Sequence, residues 1–177
     1  MKAIVCTQYG SPDVLQLKEI AKPEPADGEV LIRLYAASVN PMDSFIMRGP
    51  LFFLPMIGRL LKPKYEVIGS DIAGRVEAVG KDVKQFQPGD EVFGAKGWGG
   101  FAEYVCATED RLALKPANLS FEDAAALPIA AITALQSIRD KGRIQPGHKV
   151  LIDGASGGVG TFAVQIAKSF GAEVTAS

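Results

Sequence analysis

Lys149-Val150-Leu151-Ile152-Asp153, followed at once by Gly154-Ala155-Ser156-Gly157-Gly158-Val159-Gly160, is the stretch on which the reading of this chain turns. The first five residues form a short apolar run of the kind that makes a parallel strand buried on both faces. Four of the next seven are glycine. Beyond them an amphipathic pattern predicts a helix to about Phe170, and Gly171 to Ser177 opens a second strand. A strand, a glycine turn and a helix in that order are the parts with which dinucleotide folds hold a diphosphate. The turn must be tight, the backbone must come close to the anion, the helix must pack closely on the strand, and the helix N-terminus offers free N–H groups and partial positive charge. Gly157 and Gly160 fill the second and third roles. Ala155 breaks the pattern G-x-G-x-x-G at its first position, whereas Gly154 fills that position in the spacing G-x-x-G-x-x-G. A plain flexible loop is the alternative. It leaves the glycine density unexplained, because each glycine inside regular structure costs about 0.5–1 kcal/mol relative to alanine.

Working towards the N-terminus, Gln145-Pro146-Gly147-His148 is a turn, and the segment before it is helical. Ser120 is a suitable N-cap, with Glu122 and Asp123 near the positive end of the dipole. Pro128 breaks that first helix, and a second is expected from about Ile129 to Asp140, ending at Lys141-Gly142. Upstream of residue 120 the texture is different. Short strands are predicted at Lys2 to Thr7, Val14 to Ile20, Glu29 to Val39, Val67 to Val79, Glu91 to Gly94 and Phe101 to Ala107, a pattern that suggests a β barrel or sandwich. Val30, Ile32, Leu34 and Ala36 alternate with Leu31, Arg33 and Tyr35, so the two sets should face opposite ways. Pro25-Ala26-Asp27-Gly28 and Gln87-Pro88-Gly89-Asp90 read as turns in which glycine takes positive φ. A domain boundary is expected near residue 120, giving parts 1–120 and 121–177.

Composition narrows the partners. Nineteen basic residues against 20 acidic ones leave a net charge of -1, with no field to draw the chain to nucleic acid or to an anionic membrane. The longest apolar stretch, Leu51 to Leu61, contains Pro55, Gly58 and Arg59 and falls short of the ~20 residues of a spanning helix. The N-terminus lacks the pattern of a signal peptide, and a cytoplasmic location is expected. Cys6 and Cys106 are the only cysteines. Two thiols so far apart form neither a disulfide framework nor a metal cluster and are read as inert residues in strands.

Taken together, Gly69-Ser70-Asp71-Ile72-Ala73-Gly74-Arg75-Val76-Glu77-Ala78-Val79-Gly80, Gln87-Pro88-Gly89-Asp90-Glu91-Val92-Phe93-Gly94 and Gly154 to Gly160 resemble the medium-chain dehydrogenase/reductase superfamily, in its zinc-less quinone oxidoreductase-like branch. The resemblance runs nearly end to end. It implies a mixed α/β fold, with a GroES-like β-barrel followed by the first part of a Rossmann doubly wound domain, and substrate held between the two. The full fold of that family is about twice as long, so the chain is expected to lack most of the Rossmann sheet.

The resemblance also assigns roles. Zinc-dependent relatives hold a catalytic metal at positions that look like Asn40, Ser70 and Ile129 here, none of which is a suitable ligand, so a metal-free site is implied. His148, the only histidine, sits in a turn and reads as a surface residue. Asn40 lies in Asn40-Pro41-Met42-Asp43, which matches the Asn-Pro-x-Asp motif of the zinc-less branch, and its amide is a candidate donor to a substrate carbonyl; a helix N-cap is the alternative. Asp43 is read as an orienting residue or as an ordinary first-turn acid. Ser70 and Asp71 either line the substrate pocket or make buried structural hydrogen bonds. Phe45 stands where relatives often have tyrosine, so no phenol donates a proton there. Met42 takes the place of a relay hydroxyl. Cofactor contacts are implied for Thr133, with back-bonding in a helix as its alternative, and for Ala155, Ser156, Gly157, Gly158, Val159 and Gly160. The apolar stretch Leu51 to Ile57 is read as a lid, a local core element or a partner surface. Trp98, among glycines, reads as a loop anchor or a cleft residue.

Without zinc, alcohol oxidation lacks its Lewis acid, whereas hydride delivery to a quinone or an α,β-unsaturated carbonyl needs only hydrogen-bond donors. The expected activity is therefore NAD(P)H-dependent reduction of such a small molecule, with NADP favoured over NAD by the resemblance and a homo-oligomer as the expected assembly. One alternative is a truncated, catalytically incompetent fragment serving as an interaction module; a zinc-dependent alcohol dehydrogenase is the more distant one. Two strands of a Rossmann sheet leave apolar faces in need of cover.

Overall fold

A computed structural model of the chain describes residues 1–49 and 63–177. The stretch Leu51 to Ile57 lies outside the described residues. The ordered elements begin with strands β1 (Lys2–Cys6), β2 (Leu15–Glu19) and β3 (Glu29–Ser38), then helix α1 (Pro41–Arg48). Strands β4 (Asp71–Val79), β5 (Glu91–Ala95), β6 (Tyr104–Thr108) and β7 (Leu112–Leu114) follow. The remainder holds helices α2 (Phe121–Ala125) and α3 (Pro128–Leu135), a π-helical turn over Gln136–Lys141, then β8 (Lys149–Ile152), α4 (Gly158–Ser169) and β9 (Glu173–Ala176).

Five strands form an antiparallel sheet in the order β6-β3-β4-β5-β7. β1 and β2 pair separately, and bridges from Ala3 to Ala102 and from Val5 to Val67 join β1 to the loops of the larger sheet. Val30, Ile32, Ile72, Val76, Val92 and Val105 fill the core of this body, each buried side chain stabilising the fold by about 1.5–3 kcal/mol. The alternation predicted along β3 holds for Arg33 and Tyr35, which are exposed, and fails at Leu31, which is buried with Val30 and Ile32. The register slips between Leu31 and Ile32, and such a bulge interrupts the two-residue period. Gly89 takes φ +99° as expected, but Gly28 does not adopt positive φ; there the turn is closed by the Glu29 N–H donating to the Ala26 carbonyl at 2.9 Å.

The chain divides into two compact units, Met1–Ala126 and Leu127–Ser177. α2 stays with the sheet, beyond a cut at residue 120, for a specific reason. The Phe121 ring stacks on Tyr35 at 4.6 Å, and Lys115 lies 5.2 Å from its face while pairing with Glu91 at 3.1 Å and donating to the Leu119 carbonyl at 2.6 Å. Ser120 caps α2 as predicted, its hydroxyl accepting from the Asp123 N–H at 3.0 Å. The second predicted helix begins one residue early, because Pro128 serves as its first residue, where a missing N–H does no harm. It also changes pitch at Gln136, the last turn being π-helical rather than α. In the second unit β8 and β9 pair in parallel from Lys149 and Glu173 to Ile152 and Ala176, joined by α4, with α3 packed against α4. Leu151 on β8 is 71% exposed.

Cys6 and Cys106 lie buried in β1 and β6. Burial pushes the Cys6 thiol up, and that of Cys106 to about 11. Both therefore stay protonated near neutrality, and the thiolate is the reactive form. A thiol-reactive chromophore at pH 8 is expected to label neither cysteine in the native protein and both once the chain is unfolded in urea. Prompt labelling of the native protein would show that the two sheets open at these strands.

Candidate functional site

The residues predicted for substrate handling meet where β3 runs into α1. Pro41 presets φ for the first helical position, and Asn40 before it stays extended at φ −115°, ψ 157°, in the N-cap position. Asp43 reaches back so that its Oδ2 accepts from the Asn40 backbone N–H at 2.7 Å. Its Oδ1 accepts from the Ser70 hydroxyl at 3.0 Å, and the Gly97 carbonyl lies 3.2 Å from the same hydroxyl. One hydrogen thus faces two acceptors, and the carboxylate is the stronger of them.

A second group of bonds surrounds Asp71, the first residue of β4. Asn40 Nδ2 donates to Asp71 Oδ2 at 3.1 Å and to Ser38 Oγ at 3.1 Å, while the Ser38 hydroxyl donates to Asp71 Oδ2 at 3.2 Å. A carboxylate only accepts, so Asp71 decides which end of the Asn40 amide is nitrogen. Asp43, Ser70 and Asp71 are all at most 2% exposed, and isolated charges at that depth are costly unless hydrogen-bonded. Asn40 is therefore both the N-cap and the hub of a polar network, with both amide hydrogens engaged. Any further acceptor would have to compete with Ser38 or Asp71 for one of them.

Beside the network, α1 turns Phe45 outward, 73% exposed, with Met42 also exposed. A cavity of about 380 Å³ is lined by Tyr9, Phe45, Ile46, Gly49, Lys64 and Tyr65. Tyr65 stacks on Trp98 with ring centres 4.1 Å apart and planes 12° apart. The loop carrying Trp98 is fastened to the segment before β4, with the Lys96 and Gly97 N–H groups both donating to the Ser70 carbonyl at 2.9 and 3.3 Å. Trp98 thus anchors its loop.

Sequence reasoning missed Ser38, Tyr9 and Tyr65. A hydroxyl two residues before Asn40 at a strand end was a readable signal for the first. The two tyrosines reach the site only through long-range folding.

The second unit carries the glycine turn. Gly154 adopts φ +71°, and the Gly157 N–H closes the turn on the Gly154 carbonyl at 3.0 Å. Gly157 is the N-cap of α4 and has no side chain with which to cap it. The N–H groups of Gly158, Val159 and Gly160 have no backbone acceptor among the described residues; these are the donors a helix N-terminus offers to an anion. Ser156 to Val159 are exposed, whereas Gly160 is buried where helix meets turn. Ala155 is half-buried, its N–H donating to the Ser177 carbonyl at 3.0 Å. Thr133 is exposed on α3 in the same unit, and His148 lies on the surface, its Nδ1 accepting from the Gln145 N–H at 3.3 Å. Asn40, Asp43 and Ser70 are thus assembled within the first unit, and Thr133 and residues 155–160 belong to the second. Among the described residues no group of three or more His, Cys, Asp or Glu is placed to hold a metal ion.

Residues 26–117 match the alcohol dehydrogenase GroES-like domain family. Over 98% of its length the chain is 39% identical to quinone oxidoreductase of Sus scrofa, and it covers 51% of that protein. It is 40% identical to 2-methylene-furan-3-one reductase of Solanum lycopersicum, covering 47% of it. In three dimensions, 99% of the chain superposes on 52% of Escherichia coli quinone oxidoreductase complexed with NADPH, with a TM-score of 0.85 at 30% identity. The chain spans about half the length of the curated relatives it matches.

Proposed function

We infer that this chain, which belongs to the medium-chain dehydrogenase/reductase superfamily and to its quinone oxidoreductase-like branch, contributes the substrate-side barrel and the first cofactor-binding elements of an enzyme that reduces a quinone or an α,β-unsaturated carbonyl with NADPH, NADH being the second choice. The unit Met1–Ala126 takes the substrate role and Leu127–Ser177 the cofactor role. The observation that carries the reading is the uncapped N-terminus of α4 beside Gly154, which turns at φ +71°, and Gly160, whose Cβ would fall 2.1 Å from the Gly154 carbonyl oxygen. That cradle fits the diphosphate of a dinucleotide, and Ser156 to Gly160 would hold it by backbone N–H groups. Thr133 is assigned to the nicotinamide. The cofactor supplies the hydride.

This chain's own side chains then have a limited task. Negative charge develops on the acceptor oxygen, where the Asn40 amide can donate if it releases Ser38 or Asp71. Asp43 and Ser70 hold the backbone around Asn40 in place. No zinc is required of this site, because the Asn40 amide and the Ser70 hydroxyl are already committed as donors, the reverse of what a ligand offers. With Phe45 in place of a phenol, the proton comes from solvent. The enzyme is assigned to the cytoplasm and to an assembly of identical chains; no helix among the described residues is long and apolar enough to cross a membrane.

Titration with NADPH and with NADH, followed by nicotinamide fluorescence, tests the reading. Tighter binding of NADPH, and its oxidation on adding a benzoquinone, is the expected result for a protein that joins residues 1–177 to a complete cofactor sheet. Failure of that longer protein to bind either nucleotide would overturn it. The outward face of Leu151 supports a second reading, a non-catalytic interaction module; binding by the longer protein together with none by residues 1–177 assigns that role only to the shorter chain.

A further inference from the structure

We propose that Lys96, which lines a cavity outside the Asn40–Asp43–Ser70 network, is a covalent capture site for small, uncharged carbonyl compounds. The cavity holds about 280 Å³ and is walled by Lys96, Cys106, Val67, Tyr104, Glu24 and Glu29 among others. Lys96 directly follows β5, and its backbone is held by the bond from its N–H to the Ser70 carbonyl at 2.9 Å. Its side chain is partly buried, and among the described residues Nζ makes neither an ion pair nor a hydrogen bond. Lys22, Lys81, Lys115 and Lys149 each meet a carboxylate.

Removal from water disfavours the ammonium form of Lys96 more than the nearby charge of Glu29 restores it, so its pKa lies below the ordinary lysine value. More of the amine is therefore present with a free lone pair near neutrality than at a solvated lysine. The thiol beside it does not compete. Cys106 is 6% exposed and, with its pKa pushed up to about 11, stays protonated. The occupant follows from the walls. Glu24 and Glu29 face the Met1 ammonium and Lys96, so the walls favour no charged ligand, and the volume lies at the small end for ligand sites, which suits a short aldehyde. In the step itself the Lys96 nitrogen attacks the carbonyl carbon and forms a C–N bond. The carbonyl oxygen then leaves as water with the two hydrogens of the neutral amine, giving an imine without any oxidation or reduction.

The test is reductive trapping of the native chain with propanal and cyanoborohydride at pH 7, followed by peptide mass spectrometry. Lys96 is expected to acquire the propyl group several-fold faster than the exposed Lys81 and Lys149. That lead should shrink as the pH is raised towards 10.5, the ordinary lysine value, and vanish in urea. Lys96→Arg should remove the adduct from its peptide and leave the rate at Lys149 unchanged. Modification of Lys96 no faster than Lys149 at pH 7, or a preference that survives unfolding, would overturn the proposal.

Discussion

Gly160→Ala is expected to lower NADPH affinity at least tenfold in the protein with a complete cofactor sheet, and to destabilise the second unit by about 1–3 kcal/mol, the usual penalty for overpacking. A Cβ at this position falls 2.1 Å from the Gly154 carbonyl oxygen and 2.7 Å from Ala155 Cα. Both obstacles are backbone, so relief means moving the turn away from the helix N-terminus, and every N–H proposed to hold the diphosphate moves with it. Gly158→Ala is the matched control. A Cβ there meets nothing within 4 Å and φ is not positive, so that variant should be neutral or more stable by a few tenths of a kcal/mol, in the direction of the helix preference for alanine. Nucleotide titration and urea unfolding of both variants decide the matter. Equal loss of affinity in the two would detach nucleotide binding from the packing of this turn.

Asp43→Ala should destabilise the first unit by about 3 kcal/mol, because it strands two donors at a buried site at about 1–3 kcal/mol each. The Asn40 N–H loses its 2.7 Å partner and the Ser70 hydroxyl its 3.0 Å partner. Part of that loss is recoverable, since the Ser70 hydroxyl can turn fully to the Gly97 carbonyl at 3.2 Å. Asp43→Asn should therefore be the milder change. Its oxygen can keep the Asn40 N–H, while its NH2 group donates to a Ser70 oxygen that has turned its own hydrogen to Gly97. Trp98, the only tryptophan, is stacked on Tyr65 within the same unit, so its fluorescence reports this transition. A midpoint for Asp43→Ala equal to that of the parent protein would mean that the carboxylate contributes nothing to holding the cap and the Ser70 loop together.

The strand, turn and helix from Lys149 to Ser169 were legible because each signal is local. An apolar run, a glycine spacing and an amphipathic period act within a few residues of one another, and Gly154 and Gly160 take up the turn and close-packing roles that the spacing implied. Ser120 as a cap and Pro128 as a break were legible for the same reason, although Pro128 opens the next helix instead of merely ending the last. β7 was missed because Leu112–Leu114 is too short to show a period and gains its place only by pairing with β5. The π-helical turn at Gln136 leaves no mark on a helical pattern.

The candidate site divides along the same line. By itself the amino-acid order marked out the candidates, Asn40, Asp43 and Ser70 in one body and the glycine turn in the other, together with the junctions on which they sit. The tertiary structure alone decided their partners. Ser38 faces Asp71 because β3 and β4 pair antiparallel in that register, and Asp43 meets Ser70 across 27 positions of sequence. Contacts of that range depend on chain closure and on the register of distant strands, neither of which is written in the neighbours of any one residue.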